Sequence, residues 1–227
     1  PVFHRKRAFF DTWKHCRNQS GGLTRGTLWA YNRKLNKAPG SAGRKGTVTV
    51  QEIPSSQNPR IKALVRLSSQ KKERSLSGLF VVESAKLVEE AALAGIGIEA
   101  LYRTDEAAEK YAPYLAPAQA ACGSEVRITR PVAEKLAASQ HTQGVFALCR
   151  IPEPSLTAES LSPQGRYLVL SSLQDPGNIG AVLRSALAFG CDGLILSDDC
   201  PDLYSPKVLR AAMGGVFRQP VLVSRDL

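Results

Sequence analysis

The sequence lacks the long apolar runs that cross a bilayer, since no stretch of about eighteen consecutive apolar residues occurs among its 227 residues. Its start also lacks a charged segment followed by a continuous apolar stretch, so no secretory signal is predicted. Its five cysteines are odd in number and form no Cys-x-x-Cys pair, which argues against a disulfide framework or a zinc knuckle. The three histidines are not spaced as metal ligands. We therefore expect a cytoplasmic protein with no membrane segment and no metal.

The net charge of +10 is concentrated at the start of the chain. Residues 1–47 hold 11 Lys and Arg against one acid, whereas the remaining residues hold 19 of each sign. This segment has no helical or strand period, so it is predicted to be a disordered basic arm. Its interleaved aromatic residues could stack on bases while its cations neutralise phosphates. The alternatives are a solvated tail or translated sequence upstream of the true start.

The middle of the chain alternates helix and strand patterns, which predicts an α/β domain at 48–151 followed by a Pro-containing linker at 152–165. Apolar segments predict strands at 79–82, 98–102, 126–128 and 144–149, and helices at 61–68, 85–94 and 131–138. One basic cluster is a candidate phosphate-binding surface, and its alternative is a solvated helix face: Arg60, Lys62, Arg66, Lys71, Lys72 and Arg74. His141, in the polar segment 139–144, is interpreted as a loop residue because no partner acid or nucleophile is near it in sequence.

The last third predicts strands at 167–170, 193–196 and 219–223 that alternate with two helices, which is typical of a parallel sheet. We expect Pro176 and Gly177 to form a type II turn, with Asn178 as the N-cap of the first helix. Such a helix N-terminus is a common anion site. The turn is not Gly-x-Gly-x-x-Gly, so a dinucleotide-binding fold is disfavoured.

Four strings in this sequence form a recognisable set. Two lie in the last third: Leu173-Gln174-Asp175-Pro176-Gly177-Asn178-Ile179-Gly180 with Arg184-Ser185-Ala186, and Ser205-Pro206-Lys207-Val208-Leu209-Arg210-Ala211-Ala212-Met213-Gly214-Gly215-Val216-Phe217. They resemble the first and second motifs of the SpoU (TrmH-like) RNA 2'-O-ribose methyltransferases of the SPOUT superfamily. Two further strings are similar to the L30e-like substrate-binding domain of these enzymes: Phe80-Val81-Val82-Glu83-Ser84-x-Lys86-Leu87-Val88 and Gln140-x-Thr142-Gln143-Gly144-Val145.

The resemblance implies an L30e-like domain followed, at 166–227, by a SPOUT domain of the trefoil-knot type. It implies methyl transfer from S-adenosylmethionine to a ribose 2'-hydroxyl in structured RNA, with ribosomal RNA preferred over transfer RNA, by a homodimer. Asn178 would order the site and Arg184 would act on the reacting ribose. A guanidinium stays protonated and is a poor base, so Arg184 is interpreted as a clamp that steadies developing negative charge. The rival hypothesis is a non-catalytic RNA-binding protein that uses the L30e-like domain.

The third motif of the family, which has a Gly-x-Glu loop and a Ser-Leu-Asn segment, has no counterpart in this sequence. We therefore expect the SPOUT domain to be partial and the 227-residue chain to be inactive by itself, with its cofactor-binding residues unassigned. We also expect the apolar residues around Val208, Leu209 and Val221 to be left uncovered.

Overall fold

The computed structural model describes residues 50–225 and 227, which fall within one compact unit. The predicted basic arm at 1–47 lies outside the described residues. Among the residues described, no helix is long and apolar enough to cross a membrane.

A five-stranded mixed sheet forms the first part of the structure, with the strand order β1-β4-β3-β5-β2. Its strands are β1 (Gln51–Ile53), β2 (Leu79–Glu83), β3 (Ile98–Arg103), β4 (Glu125–Ile128) and β5 (Val145–Arg150). Strands β1, β4 and β3 run parallel, and β5 is antiparallel to both β3 and β2. The four predicted strands are confirmed to within one or two residues. The prediction missed β1, which at three residues is too short to show a pattern.

Six helices accompany this sheet in the described part of the chain. They are α1 (Pro59–Ser69), α2 (Lys71–Ser77), α3 (Ala85–Leu93), α4 (Asp105–Lys110), α5 (Ala112–Ala121) and α6 (Arg130–Leu136). Helix α1 starts where the Asn58 side chain accepts a hydrogen bond from the backbone N–H of Arg60. Helix α2, which was not predicted, is formed by the charged run after α1. The extended backbone of Gln70 separates the two helices. Helices α4 and α5 were not predicted, since their Ala-rich sequence has no clear period.

The second part is a three-stranded parallel sheet, as predicted, with the order β6-β7-β8. It contains β6 (Tyr167–Leu170), α7 (Pro176–Ala188), β7 (Gly193–Ser197), α8 (Pro206–Ala212) and β8 (Val221–Ser224), with short 3₁₀ turns at Ala158–Ser160 and Gly215–Phe217. The predicted start of α7 was wrong. Asp175, rather than Asn178, caps this helix by accepting a 2.7 Å hydrogen bond from the Gly177 N–H, and Pro176 occupies the first helical turn.

Two apolar clusters form the core. One lies between α1, α6 and one face of the first sheet, and all its buried residues fall between Ile53 and Phe146. The other is shared by both parts, because Phe80 of β2 lies 4.7 Å from the Tyr204 ring and 6.2 Å from the Phe217 ring, measured between ring centroids. A continuous apolar core therefore connects the two sheets.

The shared cluster also corrects one expectation about exposed apolar surface. Val208 and Leu209 are buried within it and Val221 is half-buried against it, because residues of the first part cover this side of the second part. The exposed apolar side chains of the small sheet are instead Leu168 and Val169 on β6 and Val223 on β8.

Candidate functional site

Helices α7 and α8, which carry the two motifs, pack in close contact. A Cβ atom on Gly180 would lie 2.3 Å from the Cβ of Ala211 and 2.7 Å from the backbone nitrogen of Ala212. No side chain fits at this crossing, so the glycine of the first motif is explained by close helix packing. The crossing holds the first motif against the second.

Arg184 lies one turn beyond this crossing on α7, and its side chain is exposed. Within the described part of the chain it forms no hydrogen bond or ion pair. A Cβ on Gly215 would lie 3.7 Å from the Arg184 backbone nitrogen, so the turn after α8 borders the candidate residue. The guanidinium is therefore free to bind an anionic group, and the Arg184 backbone lies beside the second motif.

Asn178 lies in the first turn of α7, where its side chain is exposed. Its backbone N–H donates a 3.1 Å hydrogen bond to the carbonyl oxygen of Asp175. Six residues separate it from Arg184, which corresponds to about 9 Å along a helix axis and to different sides of the helix. The structure therefore places both predicted residues on one helix without bringing their side chains together.

A polar group missed by the sequence analysis lies where β6 and β7 end. The Ser197 hydroxyl accepts a 2.8 Å hydrogen bond from the Ser172 N–H and is itself hydrogen-bonded to the Asp199 carboxylate. Hydrogen bonds from the Ser197 and Ser172 hydroxyls lower the pKa of Asp199. Ligands of open parallel sheets bind at this carboxyl edge. The only sequence signal was the acidic segment at 198–202, which carried no motif.

The predicted basic cluster divides into exposed and buried members. The buried one is Arg74, which is 4% exposed, and its Nε donates to the Asp202 carboxylate at 2.5 Å. Its guanidinium also donates to the Leu67 carbonyl oxygen, so it does not face solvent. The prediction that Arg74 contacts RNA is therefore wrong, because its guanidinium is buried and paired with Asp202.

The remaining basic residues lie near the surface. Lys62, Lys71 and Lys72 are exposed and form no ion pair within residues 50–225. Arg66, four residues after Lys62 on the same side of α1, is exposed and lies 3.8 Å from the Glu73 carboxylate. Arg60 lies on another side of α1, where it is half-buried and donates a hydrogen bond to Gln51.

Hydrogen bonds connect the polar loop before β5 to the last residue of β2 and to the first residue of α3. The Glu83 carboxylate accepts hydrogen bonds from the Ala138 N–H and the Ser139 hydroxyl, and the Gln143 side chain accepts one from the Ala85 N–H. A cavity of about 220 Å³ lies beside the loop, and its lining includes Lys110, Tyr111, Arg130, Thr142 and Gln143. His141 is exposed in this loop, and its role as a plain loop residue stays a prediction.

Comparison with known proteins identifies both parts of the chain. Residues 165–227 match the SpoU rRNA Methylase family, and residues 58–147 match the MRM3-like substrate binding domain. The chain belongs to the SpoU family. This SpoU-family chain is 31% identical over 180 residues to the 23S rRNA (guanosine(2553)-2'-O)-methyltransferase RlmP of Bacillus subtilis, a match that covers 78% of the chain and 66% of RlmP. It is 34% identical to the mitochondrial rRNA methyltransferase 3B of Danio rerio, over 70% of the chain and 36% of that protein.

Solved structures share the fold of this SpoU-family chain. The rRNA methyltransferase of Sinorhizobium meliloti superposes with a TM-score of 0.67 at 29% identity, covering 77% of this chain and 65% of that protein. Its AdoMet-bound form superposes with a TM-score of 0.65 at 30% identity, covering 77% and 64%. An RNA 2'-O ribose methyltransferase superposes with a TM-score of 0.64 at 34% identity, covering 78% and 66%. The chain spans between about a third and two thirds of the length of these relatives.

Proposed function

We propose that this protein transfers a methyl group from S-adenosylmethionine to a ribose 2'-hydroxyl of ribosomal RNA. The observation that carries the proposal is the packing of α7 on α8 through Gly180, which places the Arg184 backbone beside Gly215 of the second motif. The Arg184 side chain is exposed and has no partner within residues 50–225. Its relatives include enzymes named for 2'-O-methylation of RNA, which supports the same reaction.

Arg184 is assigned the role of a clamp on the reacting nucleotide. Its planar fork of donors can hold a phosphate oxygen and the ribose 2'-oxygen together, which orients the nucleophile and stabilises the negative charge that develops on it. The guanidinium stays protonated, so the proton of the 2'-hydroxyl is accepted by another group, for which a phosphate oxygen of the substrate is our hypothesis. Asn178 is assigned to ordering the site.

The cofactor would supply an electrophilic methyl group on a sulfonium. The carboxyl edge of β6 and β7 fits a polar cofactor of this kind, because Ser172, Ser197 and Asp199 present hydroxyl and carboxylate groups there. Hydrogen bonds from Ser197 and Ser172 lower the pKa of Asp199 below its ordinary value, which stabilises the ionised carboxylate. These three residues would hold part of the cofactor.

We call the part that matches the substrate binding domain, residues 58–147, the substrate module. RNA would bind it through the exposed Lys62, Arg66, Lys71 and Lys72 and the half-buried Arg60. These residues also suit the second candidate function, a protein that binds RNA without modifying it, because their charge is available with or without chemistry at Arg184. On the family resemblance, the protein is also proposed to be a homodimer and to be located in the cytoplasm. Because one relative is a mitochondrial enzyme, the location of the protein in the cell is to be tested by microscopy.

The proposal is tested by incubating the purified protein with methyl-labelled S-adenosylmethionine and unmodified ribosomal RNA. A 2'-O-methyl group blocks alkaline cleavage of the adjacent phosphodiester, so a single gap in the hydrolysis ladder is expected. Label on a base would overturn the reaction assignment. RNA binding without any transfer would favour the second candidate function. Calorimetric titration with S-adenosylmethionine gives a separate readout, because it detects cofactor binding whether or not methyl transfer follows.

A further inference from the structure

The segment that carries the second motif docks on the substrate module rather than projecting from it. Five pairs connect residues 74–90 with residues 202–218: Arg74–Asp202, Phe80–Tyr204, Phe80–Phe217, Glu83–Arg210 and Glu90–Arg218. A Cβ on Gly214 would also lie 3.0 Å from the Cβ of Glu90. Apolar packing and ion pairs thus hold the two parts together along this segment.

Among these pairs, Glu83 differs in having a second set of partners in the polar loop. One oxygen, Oε2, accepts a 2.9 Å hydrogen bond from the Ala138 N–H, and Oε1 accepts one from the Ser139 hydroxyl at 2.5 Å. The same Oε2 lies 4.0 Å from Nη1 of Arg210. The Glu83 carboxylate is therefore the point where the loop meets the second motif.

Arg210 presents an unused donor at this point. Its Nη1 is buried and has no hydrogen-bond partner. Among the residues that the structure describes, no other buried side-chain nitrogen or oxygen lacks one. Burying a charged donor without a partner is unfavourable, so such an atom calls for an explanation. A contraction of about 1 Å would bring Nη1 to hydrogen-bond distance of Glu83, as often happens when an active site binds its substrate.

The backbone next to Glu83 is held in a conformation that suits a fixed anchor. Ser84 has φ of +92°, a region that residues with a Cβ rarely adopt. It is held there by a 3.1 Å hydrogen bond from its N–H to the Val145 carbonyl oxygen and by the bond from the Ala85 N–H to the Gln143 side chain. Both ends of the polar loop are thereby tied to one rigid segment.

We propose that Arg210 is a positioning residue, which through Glu83 fixes the polar loop 138–144 relative to Arg184. The chain after Arg210 turns through Met213 and Gly214, both with positive φ, and reaches Gly215 beside the Arg184 backbone. RNA that contacts the loop is then delivered with its ribose at Arg184, while Arg210 itself touches neither RNA nor cofactor. This inference rests on the proposed function.

The test compares Arg210→Gln, Glu83→Gln and the double variant with the wild-type protein. A reacting group displaced by about 1 Å can lose about 100-fold in rate, so each single variant should lower kcat by about 10- to 100-fold. The dissociation constant for RNA should change by less than about threefold, because the exposed cations are untouched. The double variant should be no slower than the slower single variant, since both changes break one contact. Arg210→Lys should recover part of the rate, since it keeps a charged donor.

The matched controls are Glu90→Gln and Arg218→Gln, which break an ion pair across the same interface without touching the loop. They should lower the melting temperature and leave kcat unchanged. An equal kcat loss in the controls, or losses that multiply in the double variant, would overturn the inference. Hydrogen exchange gives a readout that needs no activity: exchange of the Ala138 amide should accelerate in Arg210→Gln and stay unchanged in Arg218→Gln. Unchanged exchange in Arg210→Gln would also overturn the inference, whereas a wild-type protein that methylates no ribose would refute only the proposed function.

Discussion

Arg184 is exposed and has no partner among the residues that the structure describes, which separates its chemical role from any role in stability. Replacing it with Lys keeps the positive charge but removes the planar fork that can hold two oxygens at once. We expect Arg184→Lys to lower the single-turnover rate of methyl transfer by about 100-fold, as for loss of a preorganised donor at a developing oxyanion. The melting temperature should not change. Arg150→Lys, at an exposed ion pair of β5, is the control, and near-normal transfer by Arg184→Lys would refute the clamp.

Arg74 has the positive charge that RNA binding needs, but it is buried and paired with Asp202. Arg74→Ala leaves Asp202 as an uncompensated, largely buried charge, so we expect a loss of about 3–5 kcal/mol in the free energy of unfolding. Exposed Lys72→Ala should change it by less than about 0.5 kcal/mol. Urea denaturation measures both. The salt dependence of RNA binding should flatten in Lys72→Ala and keep its slope in Arg74→Ala, and the reverse result would restore Arg74 to the RNA-binding set.

At the scale of elements, the crossing of α7 and α8 depends on the absence of one side chain. A methyl group on Gly180 would meet backbone atoms of α8, which cannot move aside as a flexible side chain would. We expect Gly180→Ala to lower the free energy of unfolding by about 1–3 kcal/mol and to reduce activity by separating the two motifs. Gly97→Ala is the control, because its added Cβ would lie 3.6 Å from the Arg150 side chain, an ordinary contact. Equal stability of the two variants in urea denaturation would contradict the packing argument.

The ion pair between Glu90 of α3 and Arg218, which follows α8, makes the stability of this contact depend on pH. Burial alone would raise the pKa of Glu90, but hydrogen bonds from Arg218 and Lys86 outweigh it, so the pKa lies below its ordinary value of 4.5. A lowered folded-state pKa adds stability above the unfolded-state value, and that stability is lost as the pH falls through the folded-state pKa. Thermal melts should show wild type more stable than Glu90→Gln at pH 7, with the difference shrinking below about pH 4.5. A constant difference from pH 7 to pH 3 would exclude the pair as its source.

The sequence predicts elements well where a local pattern exists and fails where contacts are distant. Most strands and the parallel order of the small sheet were predictable, because strands of a parallel sheet are continuous apolar runs, such as the buried β7. The two motif segments were also identifiable as strings. The burial of Arg74 was not predictable, because its partner Asp202 is 128 positions away and no period in the sequence connects them. The same holds for Arg210, whose loop-anchoring partner lies in β2 of the other part.

At the scale of the whole molecule, the shared apolar cluster implies that the two parts unfold together. Phe80 contacts both Tyr204 and Phe217, so its truncation removes packing from both sheets at once. We expect one calorimetric transition for residues 50–225, and we expect Phe80→Ala to destabilise it by about 3–5 kcal/mol. Val132→Ala, in the cluster confined to the first part, should also shift the same single transition. Hydrogen exchange in β4 and β7 should accelerate in parallel in both variants, because an opening that includes one sheet includes the other. Two separate transitions, with Val132→Ala shifting only one, would show that the substrate module and the motif-bearing sheet are independent folding units.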